Sequence, residues 1–285
     1  MNCYLCPRKC GVDRNLSKGR CRSLSDMRIC RIAPHYYEEP PISGTKGSGT
    51  IFFSGCSLDC NFCQNYKISK SYVGKRFTPY ELSEEIKKLV DEGVHNINFV
   101  SPTHFSDKIK ETLDIYRPPI PIVYNTSGYE SPEIITGLLE YVDIFLTDLK
   151  YIDNKLALQL SSASDYVENC LESLKIMVKN KPIIYGQPST LLKQGVIIRH
   201  LVLPGYLDNT NKIIEYYAEN CKGQALFSVM SQFVPMYKST ITRTLKPLEY
   251  KLVIKKLIEC GITDCFIQEL SSATEEFTPE FYVGD

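Results

Sequence analysis

From residue 50 onward, short apolar runs alternate with longer amphipathic stretches. The runs at 50–54, 96–101, 120–125, 142–147, 196–203, 225–230 and 265–268 are too short for buried helices and are rich in β-branched and aromatic residues, so they are predicted strands. Between them, residues 79–92 place Leu82, Ile86, Leu89 and Val90 at helical spacing, and residues 247–260 do so with Leu248, Leu252, Leu257 and Ile258. Each of these two segments opens on a proline, which is tolerated at a first helical position. Short strands alternating with amphipathic helices imply right-handed βαβ units and a parallel sheet. Roughly six such units predict an α/β fold closed partly or fully into a TIM-type barrel, with the helices outside. Residues 1–48 precede the pattern as a small cysteine-rich N-terminal extension, residues 49–285 form the barrel domain, and the glycine-rich stretch 44–49 reads as a flexible bridge between them.

Composition narrows the setting. A chain of 285 residues with 43% hydrophobic content is long enough for one large core and a small appendage. Lysine plus arginine and aspartate plus glutamate both total 33, so charge gives no general affinity for a nucleic acid polymer or an anionic membrane. The first residues lack the apolar core of a secretory signal, and no run approaches a membrane span, which predicts a cytoplasmic protein. In that reducing compartment the 12 cysteines read as metal ligands and buried thiols rather than disulfides.

Three of them stand together. Cys56, Cys60 and Cys63 form a C-x3-C-x2-C loop directly after the first barrel strand. Iron–sulfur cubanes are usually held by four cysteines. A loop offering three leaves one iron for a small molecule that binds by its own amine and carboxylate, which points to a [4Fe-4S] cluster with S-adenosyl-L-methionine and to radical chemistry. A zinc site fits poorly, because zinc prefers four ligands and the next cysteine toward the C-terminus is Cys170.

In parallel α/β folds, ligands gather at the carboxyl ends of the strands. Polar residues cap several predicted strands there: Ser101 with Thr103 and His104, Asn125 with Thr126, and Asp148 with Lys150. For each a bland reading also stands. Asp148 reads as an N-cap, Lys150 as a solvated lysine, and Asn125 as part of a turn before Gly128. His200 either faces the barrel as a substrate ligand or acid–base group, or packs as a hydrogen-bonded core histidine.

The chain resembles the radical S-adenosylmethionine superfamily, and within it the activating enzymes of pyruvate formate-lyase and their PflX-like relatives. The cluster loop carries the superfamily resemblance, and the segments at 3–10, 38–44, 47–56 and 199–205 carry the branch. The resemblance implies a partial (β/α)6 barrel. It also implies that Ser101 and Thr103 lie where the methionine amino group is held, that Asp148 and Lys150 form a D-x-K element approaching the methionine carboxylate, and that Arg199 contacts the ribose or carboxylate. Gln64 and Asn65 are implied near the adenine, with loop capping as the alternative for Asn65. From the residues alone, Asn125 and Thr126 could hydrogen-bond ribose or substrate, with the turn before Gly128 as the alternative. Reduced flavodoxin or ferredoxin is the implied electron donor.

Cys3, Cys6, Cys10 and Cys21, spaced C-x2-C-x3-C-x10-C, form a second cluster. Four soft ligands in a short segment suit zinc, with a second iron–sulfur cluster or unmetallated thiols as alternatives. So small a segment is expected to draw its folding energy from the metal.

The sequence leaves the substrate open. A small molecule is favoured, including a modified nucleoside or nucleotide, as in lyases that release queuine. A phosphorylated nucleoside would be met by Lys150, Arg199, Asn125 and the loop 186–190. A glycyl-radical protein is the activase alternative, and a non-catalytic metal-binding regulator stands outside the enzyme class. The N-terminal cysteine segment, placed over the barrel mouth, would favour the small molecule.

Overall fold

The computed structural model describes residues 2–187, 190–274 and 279–282. Its centre is a largely parallel sheet built from the predicted strands. These are β2 (Ser48–Phe53), β4 (Ile97–Val100), β5 (Ile122–Thr126), β6 (Ile144–Asp148), β8 (Leu192–Leu201), β9 (Leu226–Met230) and the two-residue β10 (Phe266–Ile267). They pair in parallel in that spatial order. Every residue of β2, β4, β5 and β6 is buried, as expected of strands covered on both faces. The sheet is an open, partial TIM-type barrel.

Three further strands escape the apolar pattern. β1 (Met27–His35) runs antiparallel to β2 with a register shift between Ile29 and Arg31, and β3 (Lys75–Phe77) adds antiparallel to β1. β7 (Ile184–Tyr185) pairs with the beginning of β8. Residues 27–35, assigned above to the extension, are therefore part of the main sheet. Residues 2–26 and 36–47 stay outside it. The stretch 44–49 is also packed rather than flexible: a Cβ on Gly44 (φ +46°) would meet Leu191 and His95 within 2.8 Å. His95 Nε2 accepts the backbone N–H groups of Thr45 and Lys46.

The helices cover the outer face. Pro79–Asp91 buries Leu82, Ile86 and Leu89 along one stripe, and its start is fixed by a capping box in which Thr78 Oγ1 accepts from Glu81 N and Glu81 accepts from Thr78 N. Thr78→Ala is expected to lower unfolding free energy by about 1 kcal/mol, the usual worth of such a cap, read as a lower denaturant midpoint with an unchanged slope. The helix Pro247–Glu259 forms where predicted, but it buries Val253 and Leu257 and leaves Leu248, Leu252 and Ile258 exposed. Its apolar residues are spread around the axis, so periodicity located the helix without fixing its inner face. No helix among the described residues is long and apolar enough to cross a membrane.

Candidate active site

The chain leaves β2 through Ser54 and Gly55 and enters the cysteine loop. Gly55 adopts φ +85°, and a Cβ there would lie 2.4 Å from both Cys21 O and Ser23 Oγ, so only glycine permits this approach. Backbone bonds then pin the loop on two sides: Cys56 N donates to Cys21 O, and Asp59 N and Asn61 N donate to Ser161 O and Leu160 O. Asp59 is clamped by Lys70 at 2.7 Å and Arg22 at 2.8 Å.

The three cysteines line one cavity of about 810 Å³ at the carboxyl ends of the strands. Cys60 and Cys63 lie within electrostatic reach of Cys56, so the three thiols form one group, as ligands to three separate irons of a cubane would. Soft donors and their surroundings fit as well. Ser161 Oγ donates to Cys60 Sγ at 2.9 Å, and Ser69 Oγ lies 3.2 Å from Cys63 Sγ, the kind of bond that orients thiolate ligands and tunes a cluster's potential. Burial pushes the Cys56 thiol up to about 12, with Cys60 and Cys63 adding to the rise, and raises Cys63 for the same reasons. Thiolates in this loop therefore need a cationic partner such as iron.

Opposite the loop, the strand ends present Ser101, Asn125, Asp148, Lys150 and Arg199, all lining the cavity together with Gln64 and Asn65. Ser101 is held at φ +56°, a costly conformation for serine. Asp148 accepts from Arg199 Nε at 2.9 Å and from Lys150 Nζ, and Arg199 Nη2 donates to Asn125 Oδ1 at 2.6 Å. Burial alone would raise the Asp148 carboxyl, but Lys150 and Arg199 outweigh it and hold the group below the usual range.

Several expected residues lie elsewhere. Arg199 and Leu201 line the cavity, so strand alternation turns His200 to the opposite face. There it is fully buried, with Nδ1 2.8 Å from Leu149 O and Nε2 2.9 Å from Thr210 Oγ1, and burial lowers it to about 4. It is a neutral core histidine, not an acid–base group of the cavity. Thr103 also falls outside the cavity: its hydroxyl donates to the buried Glu130 at 2.5 Å. His104 is bonded through Nε2 to Ser54 O at 2.7 Å, bracing the turn into the cysteine loop. The loop 186–190 enters the beginning of β8, at the end of the strand remote from Arg199, so its described residues supply no donors to the cavity. Pro188 and Ser189 of that loop lie outside the described residues.

The N-terminal cysteine segment packs behind the cluster loop instead of over the mouth. Arg8 donates to Ser57 O at 2.9 Å and to Ser162 O, and Arg14 donates to His104 O and to Leu24 O at 2.6 Å. Cys3 N to Val12 O and Gly11 N to Cys3 O close the segment on itself. A tetrahedral zinc would need its thiolates about 2.3 Å from one ion. Cys6 and Cys21 are buried within electrostatic reach of each other and of Cys3, and a Cβ on Gly19 would lie 3.3 Å from Cys21 Sγ and 3.4 Å from Cys10 Sγ, so the four thiols gather in one region of the segment. Arg8 and Arg14 tie that segment to the barrel.

Sequence reasoning gave no role to Glu38 and Glu39, which reach into the cavity, or to residues 265–269, which line its other side. The paired acids before Pro40 and Pro41 were visible. Their position follows from β1, which the apolar pattern did not show.

A parallel α/β barrel carrying a three-thiol loop at its strand ends defines a cluster-dependent enzyme class. The chain belongs to the radical SAM superfamily, whose description its residues 50–217 match. It is 34% identical over 248 residues to an uncharacterized protein of Methanocaldococcus jannaschii, covering 84% of this chain and 68% of that one. It is 24% identical over 137 residues to the 7-carboxy-7-deazaguanine synthase of Methanothermobacter thermautotrophicus, covering 45% of this chain and 55% of that relative. Among solved structures, Streptococcus suis SuiB bound to S-adenosylmethionine superposes with TM-score 0.53 at 13% identity, covering 78% of this chain and 50% of SuiB. Methylornithine synthase superposes with TM-score 0.52 at 15% identity, covering 77% and 63%. At these identities the structures share the fold.

Proposed function

We propose that the chain is a radical SAM enzyme that takes a hydrogen atom from a small molecule held inside the barrel. When bound and reduced, a [4Fe-4S] cluster with S-adenosylmethionine supplies a 5'-deoxyadenosyl radical. Cys56, Cys60 and Cys63 would hold the cluster, with Ser161 and Ser69 orienting two of the sulfurs. Lys150 and Arg199 offer cations to the methionine carboxylate and ribose, Ser101 and Asn125 offer neutral polar atoms, and Gln64 and Asn65 lie beside the last ligand. These side chains fix where the reacting carbon must sit. Reduced flavodoxin or ferredoxin is the proposed electron source.

The observation that carries the small-molecule reading is the wall made by Cys265–Glu269. This C-terminal segment lines the same cavity as the cysteine loop, and about 810 Å³ lies within the range of small-ligand sites, roughly 300–1,000 Å³. One relative is named for a small deazapurine product, which agrees with this reading. Anaerobically reconstituted protein, reduced in the presence of S-adenosylmethionine, is expected to form 5'-deoxyadenosine, and a low-molecular-weight cell extract is expected to accelerate it. No 5'-deoxyadenosine under any condition would remove the radical reading. Acceleration confined to a glycyl-radical protein fraction would replace the small molecule with an activase role.

A further inference from the structure

The segments around the cysteine loop differ from the rest of the chain in charge. Residues 2–26, 54–74 and 231–241 hold nine lysines and arginines against three aspartates, whereas basic and acidic residues each total 33 in the whole sequence. The remainder is therefore acidic by the same margin. All three segments meet at the loop: Cys21 O accepts from Cys56 N at 3.2 Å, Arg8 donates to Ser57 O at 2.9 Å, and Lys238 N donates to Asn61 O at 3.0 Å. Two of the three acids are already engaged, Asp59 between Lys70 and Arg22 and Asp26 with Arg28 at 3.5 Å.

The patch is aromatic as well as cationic. The rings of Tyr66 and Tyr237 stack with centroids 5.3 Å apart, and the ammonium groups of Lys70 and Lys238 lie 5.7 and 5.5 Å from the Tyr237 ring. Lys67, Tyr237 and Lys238 are exposed. Ser69, between Lys67 and Lys70, reaches Cys63 Sγ at 3.2 Å, and Lys238 is bonded to the residue after Cys60, so the patch stands directly beside two of the thiols. Yet Tyr66, Lys67, Lys70, Tyr237 and Lys238 do not line the cavity, although their neighbours Gln64, Asn65 and Ser69 do. Such a surface suits a partner that stays outside the barrel, not the molecule held within it.

The chemistry proposed above requires an electron to enter at this loop. Redox partners meet through small, transient interfaces, below about 1,200 Å². Opposite charge steers such encounters, and the gain fades as salt screens it.

We propose that the patch of Lys67, Lys70, Lys238, Tyr66 and Tyr237 is the docking surface for an acidic one-electron carrier protein. The inference rests on the radical reading and names the partner's charge and its landing site. One electron leaves the reduced carrier, which is oxidised, and enters the cluster, which is reduced; no bond forms or breaks. Lys67 and Lys238 attract the carrier, while the two tyrosines offer flat contact area.

Flavodoxin, a small acidic flavoprotein, is the probe, and dithionite is a reductant that needs no docking. Cluster-loaded wild-type protein is expected to bind flavodoxin with an affinity that falls between about 50 and 300 mM salt. Lys67→Glu combined with Lys238→Glu is expected to raise both the Kd and the KM for flavodoxin at least about tenfold. 5'-Deoxyadenosine formation with dithionite should stay unchanged. Lys175→Glu combined with Lys179→Glu, the same change of charge on exposed positions of the helix Tyr166–Asn180, is expected to alter neither. Flavodoxin binding that is absent, or indifferent to salt or to the double reversal, overturns the proposal, whether or not RNA or anionic vesicles bind in its place. So does an equal loss in the Lys175 and Lys179 control, or a loss with dithionite as large as with flavodoxin, which would move the effect to the cluster itself. Failure of the radical reading is seen separately, as absence of 5'-deoxyadenosine from wild-type protein with either reductant, and the binding measurement then still decides the patch.

Discussion

Cys60→Ala is expected to abolish both iron loading and 5'-deoxyadenosine formation. The wild-type chain should take up about four irons, the complement of one cubane. With Cys60 removed, the loop retains Cys56 and Cys63, and the Ser161 hydroxyl that points at Cys60 Sγ loses its acceptor. Two thiols whose protons are held by burial do not replace three convergent ligands. Iron content and the broad visible absorption of the reconstituted protein should fall close to zero, with product formation at background. Cys221→Ala is the control: Cys221 is buried at the end of the helix Leu207–Asn220, away from the cavity, and its loss should cost some stability while leaving iron content unchanged. Full iron in the Cys60 variant, or loss of iron in both, would break the assignment of the loop.

The loop was legible because its chemistry is local. Spacing and residue type name three ligands after a strand, and neither depends on how the rest of the chain folds. The parallel strands were legible for a related reason, since burial on both faces writes itself as continuous apolar runs such as Ile144-Phe145-Leu146. β1 was not, because Arg28 and Arg31 interrupt its apolar residues and part of it faces outward. Missing β1 hid the position of Glu38 and Glu39. The face of a strand residue near a strand end was equally hidden: Arg199 and His200 are neighbours, and a one-residue difference decides which enters the barrel. At the N-terminal segment, spacing drew attention to the thiols and not to Arg8 and Arg14, which tie the segment to backbone carbonyls of the cluster loop and its surroundings.

Arg199→Leu is expected to destabilise the folded protein by about 3 kcal/mol, near the lower end for removing one partner of a buried ion network because part of this network faces the cavity. The side chains of Arg199, Glu38 and Asp148 are 14%, 10% and 12% exposed, so solvent screens them little. Leucine keeps much of the volume but leaves Glu38 Oε2 and Asp148 Oδ1 without their donor and Asn125 Oδ1 without its partner. The pH dependence separates this electrostatic loss from a packing defect. Burial already raises the Glu38 carboxyl against the pull of Arg199, and Asp148 is held low only because Lys150 and Arg199 overcome its burial. In the wild type, the contribution from Asp148 is complete above its ordinary pKa and is lost as pH falls through its depressed folded value. Without Arg199 both carboxyls shift upward, so the folded variant binds more protons than the unfolded chain between those values, and its stability falls as pH rises through them. The deficit relative to wild type should therefore be largest near pH 7 and shrink toward pH 4, measured as the difference in urea midpoint at each pH. A deficit independent of pH would mean that leucine disturbs packing and that the network of Glu38, Arg199 and Asp148 contributes little. S-adenosylmethionine affinity, measured on the same variant under conditions where it is folded, is expected to fall by at least about tenfold, because the arginine's charged hydrogen bonds would be lost.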